Sequence, residues 1–291
     1  MPAPAPVQAP PQSSSAGSLR AVGLLARLRA SQPLLCGILN VTPDSFSDGG
    51  AFRDREAAVA HGLRLASEGA ELLDVGGEST RPGARPPSAA EELERVVPVI
   101  EELAARVPVP ISVDTSRAEV MQAAVRAGAG MINDVRALRR PGALETAARL
   151  RVPVCLTHMP AAPEVMQDDP RYEDVLGEVA DFLRERLLAC RRAGIPSGHL
   201  LVDPGFGFGK LLEHNLALLR SLHVFGELGA PVMAGLSRKA MLGQLTGRPA
   251  GQREAASAAA AVLAAQRGAK VLRVHDVAAA RDALAVLEAA G

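Results

Sequence analysis

The sequence predicts an α/β fold, a (β/α)8 TIM barrel in a single domain, on the basis of three observations. Short apolar runs of strand length alternate with amphipathic helical stretches eight times along the chain. The runs are apolar throughout, as in parallel strands that are covered by helices. A polar group follows almost every run, and only a closed barrel brings eight strand ends to one mouth. The alternative, an open doubly wound sheet, would bring two or three strand ends to its ligand.

The first residues differ in composition from the rest of the chain. Residues 1–18 are rich in Pro, Ala and Ser and are predicted to form a disordered tail. They have neither the basic start nor the apolar core of a secretory signal. The predicted barrel therefore occupies residues 19–291, and residues 19–31 are expected to form an extra helix that closes its N-terminal end.

The eight strands are predicted where apolar runs lie between turn residues and helical stretches. They occupy residues 34–40, 71–76, 110–114, 130–134, 153–158, 199–203, 231–237 and 270–275. Some of the helices between them begin at a recognisable signal. Ser88 with Glu91 and Ser116 with Glu119 both match the capping box, in which a hydroxyl and a carboxylate cap the first helical turn.

Composition argues against several classes of function. The 32 basic side chains balance 32 acidic ones, so the molecule as a whole is not attracted to nucleic acid or to an anionic membrane. No apolar run approaches the length of a membrane span. The three cysteines lie in apolar or helical stretches without metal-site spacing, as expected for buried thiols in a reducing cytoplasm. We therefore expect a cytoplasmic protein that binds small molecules through a local cluster of charge.

The third, fourth and sixth predicted strand ends each carry a carboxylate or a carboxamide, namely Asp114, Asn133 and Asp203. A lone polar residue at such a place is usually a helix N-cap, and we interpret Asp134 and Ser116 in that way. Three polar groups that converge on one mouth indicate a ligand instead. Two carboxylates and a carboxamide can bind the amide-and-amine edge of a fused heterocycle by complementary hydrogen bonds.

Positive charge is concentrated after the seventh and eighth strands. Ser237 and Lys239 belong to the motif GLSRK, and Arg273 and His275 are two residues apart on the last strand, so they point to the same side. An isolated histidine is more often a satisfied core residue. Beside an arginine, near the usual phosphate site of this fold, His275 is better explained by anion binding. The six histidines show no zinc-binding spacing.

Glycine-rich segments follow the first two strands. Asn40 begins the segment NVTPDSFSDGG, and Arg81 lies in GGESTRPGA, residues 76–84. Adjacent glycines make such segments mobile, and they allow the backbone to approach a ligand closely. Each segment on its own is also compatible with a plain surface loop.

A third glycine-rich stretch, PGFGFGK at residues 204–210, is not a phosphate-binding loop of the nucleotide-binding type. Pro204 stands where that motif needs a glycine, and Leu211 stands where it needs a hydroxyl for magnesium. A flexible loop that presents Phe206 and Phe208 to an aromatic ligand fits the stretch better.

Taken in chain order, these motifs resemble those of the dihydropteroate synthase family. The matching segments are GILNVTPDSFSDGG, DVGGESTRPGA, SVDT, MINDV, LVDPGFGFGK, GLSRK and RVHDV. They extend over nearly all of the chain after the tail, in the family's order and spacing. The resemblance implies an enzyme that joins 6-hydroxymethyl-7,8-dihydropterin pyrophosphate to p-aminobenzoate, giving 7,8-dihydropteroate and pyrophosphate. It also implies an SN1-like mechanism, a requirement for Mg²⁺, a homodimer, and inhibition by sulfonamides.

The resemblance further implies roles for the matching residues. The implied pterin pocket consists of Asp114, Asn133, Asp203, Phe208 and Lys239. The implied pyrophosphate contacts are Asn40, which is also the implied magnesium ligand, Arg81, Arg273 and His275. The implied p-aminobenzoate side consists of Phe46, Thr80, Pro82 and Ser237. Catalysis is attributed to Asp114, Lys239 and Arg273, with a carboxylate stabilising the pterin cation that the departing pyrophosphate leaves.

One segment departs from the family pattern. Thr157 stands where methionine is usual, and Pro-Ala-Ala at residues 160–162 replaces Gln-Gly-Asn or a similar triplet. The departure affects the expected shape of the fifth loop and one apolar contact to the pterin, but it leaves the charged groups unchanged.

Two other functions are compatible with a pterin-binding barrel. Methyltetrahydrofolate-dependent methyltransferases bind pterins in a similar barrel, but they have no pyrophosphate to bind, so the cluster of Arg81, Lys239, Arg273 and His275 argues against them. A paralogue that binds pterin without catalysis has no need of mobile catalytic loops, so the intact segments 41–50 and 78–84 argue against that function.

Overall fold

A computed structural model describes residues 15–30, 32–42, 50–78, 85–160 and 170–290, and its eight strands close into a barrel. Each strand is parallel to both neighbours, and β8 pairs with β1. The strands are β1 (Leu34–Asn40), β2 (Leu72–Gly76), β3 (Ile111–Asp114), β4 (Met131–Asp134), β5 (Val154–Thr157), β6 (Leu200–Asp203), β7 (Val232–Ala234) and β8 (Ala269–Val274). The predicted (β/α)8 barrel is confirmed, and every predicted strand overlaps an observed one. The largest difference is at β7, which ends at Ala234, before the predicted end at residue 237.

Helices follow every strand and cover the outside of the barrel, and one further described helix precedes β1. They are α1 (Ser15–Leu28), α2 (Gly50–Ser67), α3 (Ala89–Arg106), α4 (Ala118–Ala127), α5 (Ala143–Leu150), α6 (Val175–Arg192), α7 (Leu212–Arg220), α8 (His223–Gly226), α9 (Ala240–Thr246), α10 (Glu254–Gln266) and α11 (Val277–Ala290). The predicted capping box at the start of α3 is present, with Ser88 and Glu91 each accepting a hydrogen bond from the backbone N–H of the other. Within the described ranges, no helix is both long enough and apolar enough to span a membrane.

The strands have two different faces, because alternate side chains point into the barrel and out toward the helices. Outward side chains such as Leu39, Val75 and Val202 are buried in the main hydrophobic core. Inward side chains are apolar near the strand starts and become polar toward the strand ends. On β6 the change is from Leu201 to Asp203, and the strand ends at this aspartate. The expectation that the runs are uniformly apolar therefore holds for the outer face only.

Helix α1 closes the N-terminal end of the barrel, as predicted. Its Leu24 and Leu28 are buried in a cluster with the inward apolar residues of the strands. That cluster contains Leu34, Cys36, Leu72, Met131, Cys155, Leu201, Met233 and Val271. The helix begins at Ser15, inside the stretch that was predicted to be a tail, and residues 1–14 lie outside the described part of the chain.

Ser116 and Asp134 do not cap helices, which corrects the interpretation from sequence. The N-cap of α4 is Arg117, without a side-chain capping bond, and the Ser116 hydroxyl donates to the Asp134 carboxylate. Asp134 also accepts the backbone N–H groups of Arg136 and Leu138, both at 2.8 Å. It therefore stabilises the turn that follows β4, with its charge satisfied inside the protein.

Candidate active site

A cavity of about 880 Å³ lies at the C-terminal ends of the strands. Active sites of (β/α)8 barrels occupy this face, because the loops after the strands meet there. The cavity is lined by every predicted site residue that lies in the described ranges, namely Asn40, Asp114, Asn133, Asp203, Phe208, Ser237, Lys239, Arg273 and His275. Four further predicted residues, Phe46, Thr80, Arg81 and Pro82, lie outside the described residues.

Arg273 joins two carboxylates inside the barrel. Its Nε donates to Asp74 Oδ2 at 2.6 Å, and its Nη2 donates to Asp114 Oδ2 at 2.8 Å. The same oxygen of Asp74 accepts a hydrogen bond from Asn133 Nδ2 at 3.0 Å. Burial lowers the pKa of Arg273, but the Asp74 and Asp114 carboxylates outweigh it and raise that pKa above its ordinary value. The guanidinium is therefore a permanent charge at the base of the cavity.

Asp114 is a weak acid in this setting. Burial, and then the neighbouring charge of Asp74, raise the pKa of Asp114 to about 8 in spite of Arg273. The carboxyl group of Asp114 therefore gives up its proton less readily than an ordinary aspartate, and Arg273 is the counterion that favours its charged form. A cation placed beside it favours the carboxylate, so its negative charge develops together with a positive charge on a ligand.

Lys239 lies over the ring of Phe208, with its Nζ 4.0 Å from the ring centroid. Burial and the nearby charge of Arg273 lower the pKa of Lys239 to about 8. Asp203 lies close enough to act on it electrostatically, and burial raises the pKa of Asp203. The ammonium group of Lys239 and the carboxyl group of Asp203 can together hold the polar edge of a heterocycle whose face packs on the ring of Phe208.

The stretch 204–210 after β6 is held firmly by hydrogen bonds. Asp203 Oδ1 accepts the N–H of Gly205 at 2.7 Å, and the N–H of Gly207 donates to Asn215 Oδ1 at 2.7 Å. The buried Lys210 donates from Nζ to the carbonyl oxygens of Gly205 and Phe208, both at 2.9 Å. This hydrogen bonding differs from the flexible loop expected from sequence.

The two phenylalanines of that stretch have different environments. Phe206 is 1% exposed and belongs to the main hydrophobic core, whereas Phe208 packs on Val135 and Met159 beside the cavity. Both residues line the cavity, as predicted, but the ring of Phe206 is almost fully buried and is mostly used in packing. A Gly-rich sequence does not distinguish the two rings, because burial depends on which side of the chain each one occupies.

His275 and Ser237 form a pair at the mouth. The Ser237 hydroxyl accepts the backbone N–H of His275 at 3.1 Å and lies 3.0 Å from His275 Nδ1. Burial, and then the charge of Arg273, lower the pKa of His275 to about 3. In the ligand-free site His275 is therefore neutral at pH 7, and it offers a hydrogen bond and no full charge.

Comparisons with known proteins agree with this geometry. Residues 36–275 match the family model of pterin binding enzymes. The dihydropteroate synthase of Escherichia coli strain K12 is 50% identical over 262 residues, which cover 90% of this chain and 93% of that relative. The chain belongs to the dihydropteroate synthase family.

Solved structures of dihydropteroate synthases have the same fold. The Xanthomonas albilineans enzyme with 4-aminobenzoic acid is 61% identical, with a TM-score of 0.86 and coverage of 90% of this chain and 94% of that chain. The same enzyme in complex with 7,8-dihydropteroate is aligned at 58% identity, a TM-score of 0.83 and the same coverage. The Yersinia pestis enzyme in a sulfonamide complex is 50% identical, with a TM-score of 0.86 and coverage of 89% and 94%.

Asp74 is a buried residue behind the site that sequence patterns did not indicate in this member of the dihydropteroate synthase family. It lies inside the motif DVGGESTRPGA and within strand β2, where its side chain is fully buried. The available signal was a lone charge inside an apolar run, since charged residues are rarely buried without a partner.

Thr157, the departure from the dihydropteroate synthase pattern, ends β5 and lines the cavity opposite Asp203 in the strand register. The following His158 is 2.9 Å from Lys210 Nζ through its Nδ1. The departure therefore changes the cavity wall itself, at a point next to a polar contact. The remainder of the fifth loop, residues 161–169, lies outside the described residues.

Proposed function

We propose that the protein catalyses the dihydropteroate synthase reaction, in which 6-hydroxymethyl-7,8-dihydropterin pyrophosphate and p-aminobenzoate give 7,8-dihydropteroate and pyrophosphate. One observation supports this proposal above all others. Groups suited to a pterin ring and groups suited to an anion line the same cavity, in a chain of the dihydropteroate synthase family. A methyltransferase would need the first set of groups only.

The pterin would bind among Asp114, Asn133, Asp203 and Lys239, with its ring against Phe208. Carboxyl, carboxamide and ammonium groups supply both donors and acceptors for the edge of the heterocycle. The structurally similar enzyme of X. albilineans holds 7,8-dihydropteroate, a molecule that contains this ring system. The partial burial of these groups strengthens each hydrogen bond relative to water.

Pyrophosphate would lie beside Arg273 and His275, with Arg81 contributing from the second loop. Asn40, at the end of β1, is the proposed protein ligand of Mg²⁺. Across the described ranges, no group of three or more His, Cys, Asp and Glu side chains could hold a metal ion by itself. Magnesium suits such a place, because it retains several waters and takes further oxygen ligands from substrate phosphates. When bound, it would neutralise the charge of the departing pyrophosphate.

The reaction would proceed by loss of pyrophosphate before attack of the amine. The bond between the pterin methylene carbon and the pyrophosphate oxygen breaks, and the electron pair leaves with the pyrophosphate. Arg273 would stabilise that anion, and Asp114, which is hydrogen-bonded to Arg273, would face the methylene cation. The amine nitrogen then forms the new C–N bond and loses a proton.

The arylamine would bind on the side of Ser237, together with Phe46, Thr80 and Pro82 from the first two loops. Related enzymes have been solved with 4-aminobenzoic acid and with a sulfonamide drug. We therefore expect sulfonamides to inhibit this enzyme, and we expect added p-aminobenzoate to relieve the inhibition. Inhibition that persists unchanged at saturating p-aminobenzoate would contradict the assignment of this side of the cavity.

The decisive experiment measures pyrophosphate release and dihydropteroate formation in the same reaction. We expect both products in equal amounts, and only when the pterin pyrophosphate and p-aminobenzoate are present together. Pyrophosphate release without the arylamine would indicate a hydrolase. Demethylation of methyltetrahydrofolate, with no activity on the pterin pyrophosphate, would indicate a methyltransferase and would overturn the proposal.

The proposal extends to a homodimer that acts in the cytoplasm. The dimer is supported by the family resemblance of the motifs, and a reducing compartment is supported by the three free, buried cysteines. Light scattering on the purified protein should give twice the 30.2 kDa mass of one chain. A value at one chain mass over the working concentration range would contradict the dimer.

A further inference from the structure

We propose that Asp74 is a positioning residue that orients Asn133 and Arg273 for the pterin pyrophosphate. The inference rests on the proposed function, since it assigns a residue to that same site. Asp74 itself does not line the cavity; Asn133, Asp114 and Arg273 do. Asp74 lies behind them on β2, with its side chain fully buried, and acts through them.

One carboxylate oxygen of Asp74 makes both contacts. Its Oδ2 accepts from Arg273 Nε at 2.6 Å and from Asn133 Nδ2 at 3.0 Å, while its Oδ1 is buried without a hydrogen-bond partner among the described residues. A buried carboxylate with an unused oxygen does not serve stability well, because a less polar side chain of similar volume is often equally stable or better. The geometry therefore points to a role in the site.

The contact to Asp74 determines how the carboxamide of Asn133 is oriented. A carboxylate accepts hydrogen bonds and cannot donate one, so the Nδ2 end of Asn133 must face Asp74. The Oδ1 of Asn133 is then directed elsewhere, and it is buried without a partner in the described part of the chain. Asn133 is thus held in one orientation in the cavity wall, and an asparagine at position 74, which can turn either a donor or an acceptor toward it, would lose this selection.

The contact to Arg273 determines the direction of the guanidinium. With Nε bound to Asp74 and Nη2 bound to Asp114, the guanidinium plane is fixed at two points. If Asp74 loses its charge, one of these points weakens and the guanidinium is free to shift toward Asp114. Reacting groups tolerate little displacement, and a shift of about 1 Å can cost roughly 10²-fold in rate.

The test compares Asp74→Asn with Ser112→Ala. Ser112 pairs with Asp74 in the strand register, and its buried hydroxyl is likewise without a partner among the described residues. We expect Asp74→Asn to fold, since Arg273 keeps Asp114 as its counterion, and to lower kcat by about tenfold to a hundredfold. Ser112→Ala should keep the kinetic constants of the parent. Parent-like kcat in both variants would overturn the inference.

A double-mutant cycle with Arg273→Lys distinguishes positioning from general damage to the fold. If Asp74 acts through the guanidinium, Asp74→Asn should have a smaller effect on kcat in the Arg273→Lys background than in the parent. Equal effects in both backgrounds would show that Asp74 does not act through Arg273. Should Asp74→Asn not fold, Asp74→Ser takes its place in the same cycle.

The pH dependence supplies a readout that a purely structural role would not change. Because Asp74 is one of the charges that disfavour ionisation of Asp114, the acid limb of kcat/KM should move to lower pH in Asp74→Asn. An unchanged limb would contradict the inference. The charged groups that act on Asp114 are Asp74 and Glu78 on the β2 side, Asp134 from β4, Arg273 from β8 and Lys239 after β7.

A parent enzyme inactive toward both substrates would instead refute the proposed function.

Discussion

Arg273 is bound at two of its nitrogen atoms before any ligand enters the cavity. Sequence patterns predicted it as a pyrophosphate contact, paired with a second cation at His275. The structure places it between Asp74 and Asp114, and His275 is neutral at pH 7. Removal of the whole Arg273 side chain would leave two buried carboxylates without their counterion, so substitution of His275 is the cleaner probe of the anion site.

Asp114→Asn should impair turnover more than pterin binding. The carboxamide keeps the shape and much of the hydrogen bonding, but it cannot acquire the charge that stabilises a methylene cation. We expect kcat to fall by about 10²–10³-fold, with the Kd of the pterin pyrophosphate changed far less. Steady-state kinetics and calorimetry on the same preparations measure the two effects separately.

The pH profile provides the control for that substitution. Since the pKa of Asp114 is raised to about 8, kcat/KM of the parent should increase with pH up to that region, and it should fall at higher pH as Lys239 loses its proton. Asp114→Asn should lack the acid limb. A kcat within a few-fold of the parent would mean that Asp114 only recognises the pterin.

His158 predicts a pH dependence of stability. Burial, and then the charge of Lys210, lower its pKa from 6.5 to about 3. At a pH between these two pKa values, the imidazole is protonated in the unfolded chain but not in the folded protein. The free energy of unfolding therefore falls as the pH decreases from about 6.5. Over this range His158 lowers it by about 1.4 kcal/mol for each pH unit. Urea titrations at several pH values should show a shallower acid dependence in His158→Asn, and an unchanged dependence would contradict this.

At the scale of single elements, the stretch after β6 depends on Gly205, where a side chain would have both an unfavourable backbone conformation and a steric conflict. Gly205 has φ of 73°, and a Cβ there would lie 1.9 Å from the carbonyl oxygen of His158. Gly229 has φ of 76°, but a Cβ there would meet nothing within 4 Å. The two positions therefore share the backbone strain and differ in the steric conflict.

Gly205→Ala and Gly229→Ala form a matched pair of substitutions. Gly229→Ala should cost about 1–2 kcal/mol of unfolding free energy, from the left-handed backbone alone. Gly205→Ala should cost about 3–5 kcal/mol and should weaken pterin binding, because the loop must move away from β5. Denaturant unfolding and pterin calorimetry measure both effects. Similar costs at the two positions would show that the loop can relax around an added methyl group.

The elements themselves were predictable from sequence because their signals are local. Apolar runs with a polar residue at the end predicted all eight strands, and most of these polar residues line the cavity as expected. Asp74 was not predictable in this way, because a four- to six-residue run does not show which alternate side chain points inward. Its partner Arg273 lies 199 residues away and reaches it only when the barrel closes.

The molecule as a whole separates its two ends by function. At the C-terminal end the inward side chains are polar and line the cavity. At the N-terminal end they are apolar and are covered by α1, whose Leu24 is fully buried. In barrels of this kind, chemistry belongs to the first end and stability to the second. Changes in α1 should therefore affect folding without affecting catalysis.

Leu24→Ala tests this separation, with Val22→Ala on the same helix as its control. Leu24 packs against the inward residues of the strands, whereas Val22 is 65% exposed. The loss of a buried leucine side chain should lower the free energy of unfolding by about 2–5 kcal/mol, and the exposed substitution should change it by less than about 0.5 kcal/mol. Because the cavity is at the opposite end of the strands, kcat and KM per folded molecule should match the parent in both variants.

Urea unfolding and steady-state kinetics on the same samples provide the measurement. If Leu24→Ala lowers kcat while the protein is fully folded, the two ends of the barrel are coupled, and the catalytic groups depend on packing that extends through its whole length.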